Sequence, residues 1–117
     1  MSERRQVPRY KFNGVALLSQ TAGGPSASIT LVTISVCGFG TGSVVALNVG
    51  QKGVLTMEWQ GRLFRTEVQV AWKKPKGGAG FRFLAVDQEN LAILRDICRS
   101  HPLEPLTKLA EEPDKIG

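Results

Sequence analysis

Residues 55–72 alternate. Leu55, Met57 and Trp59 interleave with Thr56 and Glu58, and Phe64, Thr66, Val68, Val70 and Trp72 interleave with Arg65, Glu67, Gln69 and Ala71. A period of two sends successive side chains to opposite faces of a strand, whereas an amphipathic helix repeats about every 3.6 residues. The stretch therefore demands a sheet with one face in a core and the other in water. Val15–Ser19, Ile29–Ile34, Phe39–Val45 and Phe81–Leu84 read as further strands, which brings the set to about six. Turn signals separate them: Thr21-Ala22-Gly23-Gly24-Pro25, Asn48-Val49-Gly50, Gln60-Gly61 and Lys76-Gly77-Gly78. Gly61 marks a tight hairpin between the fourth and fifth strands. Six short strands in a chain of 117 residues argue for a small barrel or sandwich, and a barrel leaves no exposed edge. An apolar share of 42% suits one globular domain of this size.

The period then changes. Asp87 reads as a helix N-cap, followed by Leu91, Leu94, Ile97 and Cys98 at helical spacing, with Ile93 widening the stripe. Arg95 and Arg99 fall near the C-terminal end, where the helix dipole favours cations, and His101-Pro102 stops the helix. The stripe most simply closes one mouth of the barrel. The organisation expected is an arginine-rich flexible arm over residues 1–11, a barrel with its closing helix over 12–100, and a tail over 101–117. The single His101 has no partner group and is expected to be solvated, and Cys37 and Cys98 are expected to be free, buried thiols.

Charge is divided along the chain. Residues 1–86 carry 11 Lys/Arg and 3 Asp/Glu, while residues 87–117 carry 4 and 7. A basic body implies an anionic partner. The uncharged stretch from Phe12 to Gln51 is rich in Gly, Ser and Thr and holds no apolar run of about 18 residues, so no membrane insertion is expected. No apolar leader follows Ser2-Glu3-Arg4-Arg5, and the expected compartment is the cytoplasm. The residue types of catalysis are sparse: one histidine, scattered carboxylates, no G-x-S-x-G elbow. Gly38-Phe39-Gly40-Thr41-Gly42 lacks the Gly-Lys-Ser/Thr ending of a phosphate loop. The cysteines, 61 residues apart, match no metal spacing, and neither an enzyme nor a cofactor is expected. Oligonucleotide binding through Arg4, Arg5, Arg9, Lys73, Lys74 and Lys76 is disfavoured, because Trp59, Phe64, Trp72, Phe81 and Phe83 mostly fall on the face assigned to the core rather than on an exposed stacking platform. Lys73–Lys76 reads more simply as a solvated hairpin end.

Two short elements carry chemistry. Arg4, Arg5 and Arg9 precede the first strand on a segment stiffened by Pro8. Guanidinium offers a fork of donors to phosphate or to the O6/N7 edge of guanine and a flat face for stacking; lysine offers only charge. Thr33-Ile34-Ser35-Val36-Cys37-Gly38 ends a strand and enters a turn, where Ser35 can donate and accept and Gly38 admits a close approach.

Taken in order, R-x-x-x-R (Arg5 to Arg9), then x-x-S-x-x-G (Ser35, Gly38), then a barrel with a final helix, the chain resembles the PilZ domain over roughly residues 3–100. Pro8 beside Arg9, Val49-Gly50 and Gly80-Phe81-Arg82-Phe83 add to the resemblance. PilZ domains are bacterial receptors for cyclic di-GMP, so the resemblance implies an all-β fold with a C-terminal helix, a six-stranded antiparallel barrel. It implies cyclic di-GMP held by Arg4, Arg5, Arg9, Thr33, Ser35 and Gly38 and relayed to a protein effector in trans. Arginine directly before R-x-x-x-R accompanies an intercalated ligand dimer in relatives, which by resemblance sets Arg4 against a second nucleotide. The family motif has Asp or Asn where this chain has Thr33. One hydroxyl replaces a two-atom polar edge, which weakens binding by about 1–3 kcal/mol. The alternative is a PilZ-type adaptor that has lost the nucleotide and acts by protein contact.

Overall fold

The computed structural model describes residues 7–21 and 23–103. Its elements in chain order are β1 (Tyr10–Ser19), β2 (Ser26–Ile34), β3 (Gly38–Thr41), β4 (Lys52–Trp59), β5 (Arg62–Lys73), β6 (Ala79–Leu84) and α1 (Gln88–Arg99). The strands close into a barrel in the order β1-β2-β3-β6-β5-β4, every neighbouring pair antiparallel. This is the six-stranded barrel with a C-terminal helix that the alternation and the helical stripe require.

The alternation in β4 and β5 is realised residue by residue. Leu55 and Met57, then Phe64, Thr66, Val68 and Val70, face the interior, and Glu58 and Glu67 face water. Gln60 (φ 52°) and Gly61 (φ 78°) form the two-residue hairpin, both in the left-handed region that matches the strand twist. Ile93, Leu94, Ile97 and Cys98 of α1 join the same core as Leu31, Ile34, Phe64 and Val68. Asp87 caps the helix, accepting from the Asn90 amide at 2.9 Å. The Asn90 side chain meanwhile clasps β5, accepting from Arg65 N (3.1 Å) and donating to Arg65 O (3.0 Å). That pair of bonds fixes where the helix lies on the barrel.

Several expectations are corrected. Tyr10 and Lys11, read as the end of the arm, are the first residues of β1; a register shift between Lys11 and Gly14 interrupts the alternation that would have marked them. β3 ends at Thr41 rather than Val45, because the Thr41 hydroxyl donates to Thr30 O (2.6 Å) and accepts from Ser43 N (3.0 Å), turning the chain away. Val45 and Leu47 are nonetheless buried. Their carbonyls are gathered by Lys73 Nζ at 3.1 and 3.0 Å, so Lys73 is a loop clamp and not merely a solvated hairpin end. Cys98 is buried, which pushes its thiol pKa up, but Cys37 is exposed on the 35–38 turn. His101 is half-buried: its Nδ1 lies 2.7 Å from Ile97 O, and its ring and that of Phe12 pack in a T shape with centroids 4.9 Å apart. The chain doubles back after α1, with Lys11 N donating to Pro102 O (2.8 Å) and Leu103 bridging to Tyr10, and this return folds His101 onto Phe12.

Trp72 is the most informative correction. Its sequence phase matches that of Val70, yet it is 43% exposed. The β5–β6 register pairs Val70 with Phe81 and Trp72 with Gly80, leaving Ala71 as an extra residue. One inserted residue reverses the facing of its successors along the strand, and the indole emerges on the outside of the barrel.

Candidate functional site

Trp72 lands in a particular row. Thr33 of β2 pairs with Gly40 of β3, Gly40 with Gly80 of β6, and Gly80 with Trp72 of β5. Four adjacent strands thus present, side by side on the outer surface, a hydroxyl, two bare backbones and an indole. The bareness is enforced. A Cβ on Gly80 would lie 2.3 Å from the indole ring, and one on Gly40 would lie 2.8 Å from the Thr33 hydroxyl oxygen. From beneath, Phe39 and Phe81 stack at 4.7 Å between centroids and stiffen the β3–β6 pair. β2 carries its own bulge between Leu31 and Thr33, so irregular pairing lies at both ends of the row. Bulges re-aim side chains and gather near functional sites.

Above this floor sits Arg9, half-buried on the segment leading into β1. Two hollows, about 180 and 280 Å³, share Arg9, Thr33, Gly40 and Trp72 as lining residues. Together they make a trough along β3. Lys74 lines its second part, with its ammonium 5.8 Å from the Trp72 ring centroid. No acidic residue lines either part among the described residues. The trough therefore combines positive charge, an aromatic face and a floor without side chains. That combination suits a flat anionic ligand, because a planar ring can approach backbone closely while guanidinium and ammonium meet its charges.

The 35–38 turn closes one end. Ser35 N donates to Gly38 O (2.8 Å), and the Ser35 hydroxyl accepts from the amides of Cys37 (3.1 Å) and Gly38 (3.2 Å). Its own proton is directed to Gly38 O at 3.3 Å. Ser35 is 6% exposed, so its hydroxyl is spent on shaping the turn. Gly38 is obligatory here, since a Cβ would fall 2.1 Å from Phe81 O. Phe83 N ties the turn to β6 through Cys37 O at 2.8 Å.

Of the residues singled out by sequence, Arg9, Thr33, Ser35 and Gly38 line one and the same hollow, although 29 positions separate the first from the last. Arg4 and Arg5 lie outside the described residues. Sequence reasoning did not place Trp72 or Gly40 at the site, named Gly80 only as part of the family resemblance, and named Lys74 only for the oligonucleotide alternative. The spacing of Gly38 and Gly40 on one strand face was a usable signal; the position of Trp72 was not, because it depends on a bulge. No cluster of three or more His, Cys, Asp or Glu suited to a metal occurs among the described residues, and none of their helices is long and apolar enough to cross a membrane.

Comparison with known proteins places these features in a family context. A family model described as the PilZ domain matches residues 3–100. No curated protein matches the sequence. Among solved structures, the PilZ domain of CeSA from a cellulose-synthesizing bacterium is similar with a TM-score of 0.66 at 8% identity, covering 79% of this chain and 95% of that one. The inhibitor of motility MotI/DgrA of Bacillus subtilis gives 0.70 at 16% identity, covering 84% of this chain; the alignment takes in 51% of that longer chain. The PilZ domain of YcgR from Escherichia coli, solved with c-di-GMP, gives 0.65 at 19% identity over 97% of this chain and 98% of that one.

Proposed function

The chain belongs to the PilZ domain family, and on that footing we propose that it is a non-enzymatic cytoplasmic receptor for cyclic di-GMP that relays the nucleotide to a protein partner. The observation that carries this reading is the trough, in which Arg9, Thr33, Gly38 and Trp72 surround a floor of bare glycine backbone. A bound c-di-GMP in the similar YcgR domain supports the choice of ligand.

In this reading Arg9, with Arg5 four positions before it, forks onto a phosphate or the O6/N7 edge of guanine. Trp72 offers its exposed face to a base, and Gly40 lets the base settle against backbone. Thr33 supplies one hydroxyl where the family motif supplies a carboxylate or amide. Ser35 acts indirectly, by holding the turn that presents Gly38. Arg4 faces a second nucleotide when the ligand binds as an intercalated dimer, whose four phosphate charges call for a further cation. Thr33 is also the one feature that favours a nucleotide-free adaptor.

Titration calorimetry with cyclic di-GMP decides between the two. The wild type is expected to bind, and Arg9→Ala to bind about ten- to a hundredfold more weakly, the cost of a charged hydrogen-bonding group. No heat for either protein would overturn the receptor reading and leave the adaptor, whereas equal binding by the two would take Arg9 out of the site.

A further inference from the structure

The segment leading into β1 has two working sides. Arg9 faces the trough, whereas Val7, Pro8 and Tyr10 line a separate hollow of about 210 Å³. The 35–38 turn is divided in the same way. Ser35, Cys37 and Gly38 border the trough, and Val36 borders the second hollow. Its far wall is the C-terminal half of α1, which contributes Arg95, Cys98 and Arg99. Both pieces of backbone that would grip the nucleotide therefore have their reverse sides in one other cavity.

Building on the cyclic di-GMP reading, we propose that this second hollow is the docking surface for the effector, and that its occupant is a protein segment carrying an apolar side chain beside carboxylates. Size argues against a small metabolite: unlike the two trough hollows, which share lining residues and join, this one shares none with them, and its volume of about 210 Å³ falls below the roughly 300–1,000 Å³ of small-molecule pockets. It suits one anchoring side chain of a protein partner. Charge selects the partner. The walls are apolar at Val7, Pro8, Tyr10 and Val36, the rim carries Arg95 and the Asp96-paired Arg99, and no acid lines the hollow among the described residues. The nearest acid on α1, Asp96, is engaged by Arg62 at 2.7 Å and by Arg99. Arg95 is exposed and pairs with no acid among the described residues. An acidic segment meets complementary charge here, and a basic one is repelled.

The same geometry couples the two cavities. Lys11 N donates to Pro102 O, and Tyr10 bridges to Leu103, so the downstream end of the segment is pinned. A ligand that shifts Arg9 within the trough is then accommodated at Val7 and Pro8, which form one wall of the docking hollow. The nucleotide thereby changes the affinity for the partner, and the partner changes the affinity for the nucleotide by the same factor.

The test is an NMR titration of the ¹⁵N-labelled 117-residue chain with an octapeptide alternating leucine and glutamate, and with its glutamine counterpart, each with and without cyclic di-GMP. The acidic peptide is expected to shift the amides of Val7, Tyr10, Val36 and Arg99, and the neutral peptide to leave them in place. Arg95→Gln should weaken the acidic peptide about threefold, the scale of an exposed ion pair, while leaving the cyclic di-GMP titration unchanged. Cyclic di-GMP should change the peptide affinity by about fivefold or more. Equal binding of the two peptides, shifts centred elsewhere, indifference to Arg95→Gln, or a peptide affinity unmoved by a nucleotide that does bind would each overturn the proposal. Displacement of signals from residues 104–117 would overturn it as well, by making the chain's own acidic end the occupant. A missing response to cyclic di-GMP sinks the nucleotide reading separately, since the peptide arm is also read without nucleotide.

Discussion

The two flanks of the barrel are built by different rules. Between β4 and β5, eight successive pairs run from Lys52–Gln69 to Trp59–Arg62 without a register shift. The flank that carries the trough is interrupted twice, between Leu31 and Thr33 and again between Val70 and Trp72. On the regular flank the inward positions are filled by side chains such as Leu55, Met57, Phe64 and Val68, each almost wholly buried, and only Gly53, pressed against Ser19 and Leu47, is left bare. On the irregular flank the outward positions are emptied to glycine and then bracketed by Thr33 and Trp72. The first arrangement maximises buried apolar area; the second gives up regular pairing to aim particular groups at one place. Core packing and the trough thus occupy different stretches of one closed sheet, with β5 contributing Phe64 and Val68 to the first and Trp72 to the second.

Substitutions on either flank can break that division. Phe64→Ala removes a ring with no exposed surface and should cost about 3–5 kcal/mol of stability, read from urea unfolding. Trp72→Ala should do the reverse. It should lower cyclic di-GMP affinity by about 1–3 kcal/mol, the worth of an aromatic face stacked on a base, in the same calorimetric assay. Its urea midpoint should move far less than that of Phe64→Ala, because the indole is 43% exposed. If Trp72→Ala unfolded the protein as readily as Phe64→Ala, the irregular flank would be structural and the division false. The smallest effect sharpens the boundary with α1. The Asp96 carboxyl is held below its ordinary value of 3.8, chiefly by the Arg62 hydrogen bond, with the charge of Arg99 adding to it against partial burial. A carboxylate with a depressed folded-state pKa stabilises the fold above its unfolded value, and that contribution disappears as pH falls through the lower one. The melting temperatures of wild type and Asp96→Asn should therefore differ modestly at neutral pH and converge below pH 3.8.

Legibility in the sequence divides along the same line. The alternation of β4 and β5, the Gln60-Gly61 hairpin and the Asp87-capped helix were all readable, because each depends on residues close together in the chain. The arginine segment and the Ser35–Gly38 turn were legible as chemistry, and Arg9, Ser35 and Gly38 line one hollow. His101 and Cys37 were misjudged for a common reason: their exposure is set by neighbours distant in sequence, Phe12 in one case and the β6 edge in the other. Asn90 gave no sign that it would clasp Arg65.

Local periodicity decided that this chain makes strands, where its helix begins and which side chains can enter a core, since facing within an element is set by backbone geometry alone. The order of neighbours around the barrel decided the trough. Thr33, Gly40, Gly80 and Trp72 meet only through three lateral pairings, and Trp72 turns outward only because Ala71 is left over in one of them. An unpaired residue leaves no mark in composition or period. It exists as a relation between two strands, and only closure of the sheet brings that relation into being.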